Sequence, residues 1–168
     1  DNEKTLKTTL LRRALLLFSL SLFLTLNHCA LFKGKRTIHD PLIDFYKNDP
    51  PKHTLASLRL TEKGRGQIGE GNKAIAMESL NKALSIDPIN PFAYYFLAKI
   101  HSDRNEHRES LGLLEKTRQY STKFPFWKAQ SHLLSAFNYR ALGLSKQMNF
   151  HLKKAREFDP EIDWDDID

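Results

Sequence analysis

A six-residue pattern that returns along the chain constrains the fold more than any other feature. Residues 83–88 read Ala-Leu-Ser-Ile-Asp-Pro, and residues 155–160 read Ala-Arg-Glu-Phe-Asp-Pro. Residues 117–122 lie between them in the same phase but lack the proline. The spacings, from 83 to 117 and from 117 to 155, are 34 and 38 residues. A period in the range of roughly 20–50 residues indicates a stacked array of similar units.

Each unit is expected to be a pair of helices joined by a tight turn. Gly71, Asn105 and Gly143 occupy equivalent places, and Gly or Asn is favoured where a helix ends in the left-handed conformation. Small residues in each unit would let the paired helices approach closely, and larger apolar residues would fill the space between them. Counted from Ser57, Pro91 and Ala129, the eighth position holds Gly64, Ala98 and Ala136, and the twenty-fourth holds Leu80, Leu114 and Leu152.

These features resemble the tetratricopeptide repeat family, whose helix–turn–helix unit is about 34 residues long. The resemblance covers residues 57–162, close to two thirds of the chain. It implies an all-α solenoid of three repeats, at 57–90, 91–124 and 125–162, preceded by a hydrophobic N-terminal helix. Met148 departs from the family pattern, because it is large for a position that is small in the first two repeats.

In the tetratricopeptide repeat family, the first helix of each repeat lines a concave groove that binds a peptide or protein. The clamp that some members use for a terminal carboxylate is missing, because Thr61 and Arg65 stand where those members have Lys and Asn. The groove instead offers aromatic area with a few cations, which suits apolar anchors and carboxylates. For Phe92 and Phe137, an inward orientation in the core is the alternative. The residues that the resemblance assigns to partner binding are Arg65, Phe92, Tyr95, Lys99, Phe137 and Arg140.

The N-terminal region, residues 1–32, has the layout of an export signal or a membrane anchor. Residues 14–26 carry no charge, and Arg12 and Arg13 precede them. A basic segment followed by a run of this length is typical of a signal peptide. The run is short for a helix that must cross roughly 30 Å of hydrocarbon.

Cys29, the single cysteine of the chain, follows this run directly. Here the sequence resembles a bacterial lipoprotein signal, in which a Leu three residues before an invariant Cys is followed by two small residues. Leu26 and Cys29 match that pattern, whereas His28 departs from it. The resemblance implies lipidation of Cys29 and a place in the bacterial cell envelope, on the periplasmic or outer-membrane face. An uncleaved single-pass anchor and an ordinary cleaved signal are the alternatives.

Residues 33–56 are polar and contain three prolines, a composition typical of a linker. Within them, Asp40-Pro41 favours the start of a helix, because a carboxylate caps it and proline suits the first position. Residues 42–46 could then form one short apolar helix. This segment is either an incidental turn or a small helix that docks on the repeat domain or on the partner.

Charge is distributed unevenly along the chain. From Glu157 onward there are seven acidic residues and no Lys or Arg, so residues 1–156 carry 26 basic against 13 acidic residues, or +13. A basic body suggests acidic partners, an anionic membrane surface or nucleic acid, or else a solvated surface. The acidic tail, 163–168, either pairs with a basic surface through its charges and Trp164 or remains a solvated end.

Motifs for catalysis or cofactor binding are weak. Gly64, Gly66 and Gly69 satisfy G-x-G-x-x-G, but a dinucleotide site needs that motif between a strand and a helix. Here it lies inside a predicted helix. The seven histidines show no metal-ligand spacing, and no nucleophile has a recognisable base beside it. We therefore expect no enzyme activity, cofactor, metal or small-molecule substrate.

The sequence as a whole predicts a membrane-tethered scaffold or adaptor of the cell envelope that binds a peptide or protein partner through its groove. A structural subunit of a membrane complex, held by an uncleaved transmembrane helix, is the alternative. A nucleic-acid binder that uses the basic body is a third class. The hydrophobic N-terminus argues against that third class.

Overall fold

The computed structural model describes residues 50–162, where all regular secondary structure is helical. No strand occurs among these residues, so the all-α prediction is confirmed for them. The apolar run, Cys29, the expected helix at 42–46 and the acidic tail at 163–168 lie outside the described residues. The six helices are α1 (Lys52–Gly69), α2 (Lys73–Ile86), α3 (Pro91–Asp103), α4 (His107–Tyr120), α5 (Pro125–Ala141) and α6 (Ser145–Phe158).

The turn inside each helix pair has the same geometry three times. Gly71, Asn105 and Gly143 have positive φ values of 81°, 62° and 72°, as the sequence predicted. In each turn the N–H of this residue donates to the carbonyl three residues earlier, and the next N–H donates to the carbonyl five residues before it. The left-handed residue thereby satisfies carbonyls that the helix end would leave without partners.

The turn that follows each helix pair is also repeated. The residue after the helix donates its N–H to the carbonyl four residues earlier, and its own carbonyl accepts the N–H three residues later. Both aspartates of this turn add an acceptor, since Asp87 Oδ1 accepts from Ile89 N at 3.3 Å and Asp159 Oδ1 accepts from Glu161 N at 3.1 Å. The closing residues of the three turns are Asn90, Phe124 and Ile162.

Helices of one pair pack closely where the sequence has small residues. Gly64, Ala98 and Ala136 are all buried. At Gly64 the approach is closest, because a Cβ atom built there would lie 2.8 Å from Leu80 Cγ. A side chain at position 64 would clash with Leu80, so glycine fits there despite its low helix propensity.

The core is made mainly by the first four helices and the start of α5. Leu80 and Leu114 are fully buried, as their shared position predicted. Leu152 is only partly buried and Phe158 is 39% exposed, so the expectation of one equally buried position in all three units was wrong for the last unit. The reason is the place of α6 at the end of the described stack, where no further described helix covers its outer side.

One helix begins earlier than the sequence suggested. The start of α1 is Lys52, directly after Pro50 and Pro51, rather than Ser57. The helix α5 begins at Pro125, which is also the first residue of the predicted third repeat. Proline fixes φ near the helical value and lacks an N–H, so it is well suited to a first helical position.

Candidate functional site

The first helices of the three pairs, α1, α3 and α5, lie next to one another, since α3 contacts both α1 and α5. Asn90, the N-cap of α3, joins α3 to α1 because its Nδ2 donates to Ser57 Oγ at 2.8 Å and to Thr61 Oγ1 at 3.0 Å. Tyr95 joins α3 to α5, donating its hydroxyl to Gln130 Oε1 at 3.4 Å. Residues at the same position in these three helices therefore form a row across the stack.

The ninth position of the units supplies such a row, made of Arg65, Lys99 and Phe137. The Arg65 side chain is 44% exposed and its Nη1 lies 3.5 Å from Glu62 Oε1. Its guanidinium also lies over the ring of Phe96, 5.8 Å from the centroid. Lys99, on the middle helix α3, is half-buried. The row thus consists of two cationic residues followed by one aromatic residue.

Arg140 extends this surface along α5. It is exposed, and its guanidinium lies 5.2 Å from the centroid of the Phe137 ring. Phe137 is half-buried and packs with one side against the core. A cation above an aromatic ring is attracted to the face of the ring, and its stem covers apolar area. We call the surface formed by Arg65, Lys99, Phe137 and Arg140, with the buried ring of Phe96 packed behind Arg65, the cationic groove.

Two of the six predicted partner-binding residues lie in the core instead. Phe92 is 1% exposed, with its ring 5.4 Å from Phe124 and 5.3 Å from Trp127. The alternative of an inward ring thus describes Phe92. Tyr95 is also buried, and burial raises the pKa of its hydroxyl, which stays neutral at any physiological pH. Both rings pack in the hydrophobic core and are not part of the exposed surface.

Phe96 and Trp127 are two residues that the sequence reasoning missed. Trp127 is 4% exposed and makes edge-on contacts with Tyr95 at 5.0 Å and Phe96 at 5.7 Å. Its Nε1 has no hydrogen-bond partner in the described part of the chain, which costs about 1–3 kcal/mol. The signal that could have found Trp127 is its position just after Pro125, a residue type that favours the start of a helix.

A small concavity lies beside the N-terminus of α1. It has a volume of about 270 Å³ and is formed by the start of α1, the turn before α3 and the turn before α5. Thr54, Ile89, Tyr120 and Lys123 are among its lining residues. Sites for drug-sized ligands usually measure about 300–1,000 Å³, so this space is better suited to one or two side chains. The proposed docking of residues 42–46 stays a prediction.

Histidines meet where α5 packs on α6. His132 Nδ1 and His151 Nδ1 are 2.9 Å apart, so one ring donates to the other. Burial lowers the pKa of His132 to about 3, with help from Arg118, and lowers that of His151 to about 4. Both rings are therefore neutral at pH 7. Between residues 50 and 162 no group of three or more His, Cys, Asp or Glu side chains could hold a metal ion.

No protein-family model matches this sequence, and a search of curated proteins gave no match. Within the described helices, none combines the length and apolar character that crossing a membrane requires.

Proposed function

We propose that this protein is a membrane-tethered adaptor of the tetratricopeptide type, whose cationic groove binds an acidic segment of a partner protein. The observation that carries the proposal is the row of Arg65, Lys99 and Phe137, extended by Arg140, on three neighbouring helices. Repeated helix pairs with identical turns support the assignment to a three-repeat solenoid. Such solenoids use an extended face rather than a deep pocket for binding.

The chemistry of the groove favours a peptide with carboxylates and at least one apolar side chain. Phe137 offers a partly covered ring, beside which an apolar side chain would bury area. Arg140 lies over this ring and Arg65 lies over the buried ring of Phe96, and a carboxylate could pair with either guanidinium. Phosphate groups share this charge, but the aromatic rings add nothing to phosphate binding. An acidic peptide is therefore the better match.

Binding of a defined probe tests the groove. The probe is a fluorescein-labelled peptide of about ten residues in which Asp and Glu flank one Trp, measured by anisotropy at low salt with the full chain in a mild detergent. We expect Arg65→Gln, Lys99→Gln and Arg140→Gln together to weaken binding by about 1–2 kcal/mol, or roughly five- to thirtyfold. The loss follows from removing three cations that face the carboxylates.

The matched control removes cations from the second helices. Lys82 on α2 and Lys116 on α4 are exposed and lie outside the groove. Lys82→Gln with Lys116→Gln should change the affinity less than twofold at the same ionic strength. Equal losses in both sets of variants would mean that general charge attraction, and not the groove, holds the peptide.

The tether is tested at Cys29. In the proposed lipoprotein, lipidated Cys29 is the first residue of the mature chain, and the rest is held at a membrane surface outside the cytoplasm. Cys29→Ala should abolish labelling by a fatty acid and leave an unprocessed precursor, seen by mass spectrometry of the intact protein. Cys29→Ser serves as a second variant that keeps the size of the side chain. Labelling that persists in both variants would contradict lipidation at Cys29, and an unchanged chain that is unlabelled and unprocessed would leave the uncleaved anchor as the better account.

A further inference from the structure

The described chain ends on a residue that is anchored in α5. Ile162 is 2% exposed and packs in a small cluster with Ala129, Leu133 and Ala155. Its backbone N–H donates to Asp159 O at 3.1 Å, which closes the third copy of the repeated turn. Ile162 is the last residue before the acidic tail, 163–168, and its burial makes it a fixed point of attachment for that tail.

Ile162 occupies the same place in its turn as Asn90 and Phe124 occupy in the first two turns. Asn90 contacts Ser57 and Thr61 of α1. Ile162 packs with Ala129 and Leu133, which hold the same two positions in α5. The last described residue therefore lies against α5 as Asn90 lies against α1.

Residues 163–168 are long enough to reach the cations of the groove. Six extended residues span about 20 Å. Along α5, the seven residues from Leu133 to Arg140 rise about 10 Å. The axes of packed helices are about 8–10 Å apart, so Lys99 on α3 is one helix further away. The reach covers both cations without unfolding any described helix.

Residues 163–168 also have the composition that the groove is proposed to bind. They read Asp-Trp-Asp-Asp-Ile-Asp, with four carboxylates and no basic residue. Trp164 supplies an aromatic ring for the half-buried Phe137, and its neighbouring carboxylates suit Arg140 and Lys99. We propose that this segment occupies the cationic groove of its own molecule, as a built-in competitor that a partner must displace. The inference rests on the proposed function of the groove and names the chemistry of its ligand.

The loss of affinity for a free peptide that this competition causes can be calculated. A segment joined by a short connection acts at an effective concentration on the order of 1 mM. If the same sequence binds as a free peptide with a dissociation constant of about 0.1 mM, the intact chain should bind that peptide roughly tenfold more weakly than a chain whose segment is inactivated. A partner with several such contacts would still displace the segment.

The experiment compares three full-length chains in a mild detergent at low salt. The probe is a fluorescein-labelled peptide with the sequence of residues 159–168. The first chain is unchanged. In the second, the acidic segment is inactivated, and in the third an equal number of exposed carboxylates and one exposed ring are removed elsewhere. The second chain carries Asp163→Asn, Asp165→Asn, Asp166→Asn, Asp168→Asn and Trp164→Ala, and the third carries Glu70→Gln, Glu78→Gln, Glu109→Gln, Glu161→Gln and Phe150→Ala.

We expect the second chain to bind the probe roughly tenfold more tightly than the first and the third. Equal affinity of all three chains would overturn the inference while leaving the groove as a binding site. Absence of binding to every chain would overturn it as well, because the segment would then not be a ligand of the groove. A difference that grows with protein concentration would place the segment on a second copy and contradict the intramolecular contact.

Trp164 gives a second measurement that needs no peptide. Its emission is the difference between the spectra of the unchanged chain and of Trp164→Phe, since the buried Trp127 contributes to both. A ring held in the groove should emit at shorter wavelength at low salt and shift towards the wavelength of free tryptophan as salt screens the ion pairs. Emission typical of a solvated ring at low salt would overturn the inference.

Discussion

Gly64 shows how a single residue sets the distance between two helices. A Cβ atom at this position would lie 2.8 Å from Leu80 Cγ, 2.9 Å from Leu80 Cδ2 and 3.3 Å from the carbonyl oxygen of Ala76. At Gly66, in the same helix, nothing lies within 4 Å of the equivalent atom. Substitution of Gly64 therefore changes both helix propensity and packing against α2, whereas substitution of Gly66 changes helix propensity alone.

Alanine substitution should have opposite signs at these two positions. Gly64→Ala gains about 1 kcal/mol of helix propensity but forces α1 and α2 apart, and overpacking costs about 1–3 kcal/mol. We expect a net loss of about 1 kcal/mol in the free energy of unfolding. Gly66→Ala should raise it by about 0.5–1 kcal/mol. Urea denaturation followed by circular dichroism measures both, and stabilisation by Gly64→Ala would contradict the close approach.

The histidine pair predicts how stability depends on pH. The pKa values of about 3 for His132 and about 4 for His151 lie below the ordinary value of 6.5, so the unfolded chain binds protons first as the pH falls. The contribution of the neutral pair is complete above about pH 6.5 and is lost as the pH falls towards 4. Arg118, Lys128 and Lys154 face the pair and oppose its protonation, whereas Glu115 favours it.

Thermal melting at pH 7.5 and pH 5.0 checks this prediction. The melting temperature of the unchanged chain should be lower at pH 5.0. His132→Gln with His151→Gln should reduce this difference, and His53→Gln, at an exposed position, should leave it unchanged. An equal difference in all three chains would mean that other groups cause the acid sensitivity.

At the scale of the helices, burial of one repeated position declines at the end of the stack. Leu80 on α2 and Leu114 on α4 are fully buried, while Leu152 on α6 is partly buried. Leu80→Ala and Leu114→Ala should each cost about 2–5 kcal/mol, because each leaves a cavity that its neighbours fill only in part. Leu152→Ala should cost less than either, since part of its side chain already meets solvent.

Circular dichroism melts of the three leucine variants provide the measurement. The ordering matters more than the absolute values, because differences between mutants are more reliable than sums of buried area. A loss for Leu152→Ala as large as that for Leu80→Ala would show that α6 is covered on its outer side, for example by another chain. Exposed Phe150 and Leu144 near the same end make that result informative.

Between residues 50 and 162, the period of the sequence was sufficient to predict an all-helical structure and the three left-handed turn residues. The left-handed residues Gly71, Asn105 and Gly143 followed from their equivalent places, because few residue types tolerate that conformation. The period did not predict the features in which one unit differs from the others. The extra turn of α5 carries Trp127 into the core, and no comparison with the other units could reveal this.

The candidate groove was predictable only in part, for a related reason. A position in a repeat tells which helix face a residue occupies, but the depth of its side chain depends on neighbouring helices. Arg65 and Arg140 are exposed as expected, and Phe137 is half-buried, whereas Phe92 is covered by Phe124 and Trp127. The closing turn of the third unit is held by apolar packing of Ile162, whereas the closing turn of the first unit is held by hydrogen bonds of Asn90.

The binding face is the central claim, and mapping it by nuclear magnetic resonance tests the claim most directly. The labelled full chain in detergent micelles, with the acidic segment inactivated, would be titrated with the probe of residues 159–168. The account predicts chemical-shift changes on α1, α3 and α5, centred on Arg65, Lys99 and Arg140. Changes confined to α2, α4 and α6, or spread evenly over the basic surface, would contradict it.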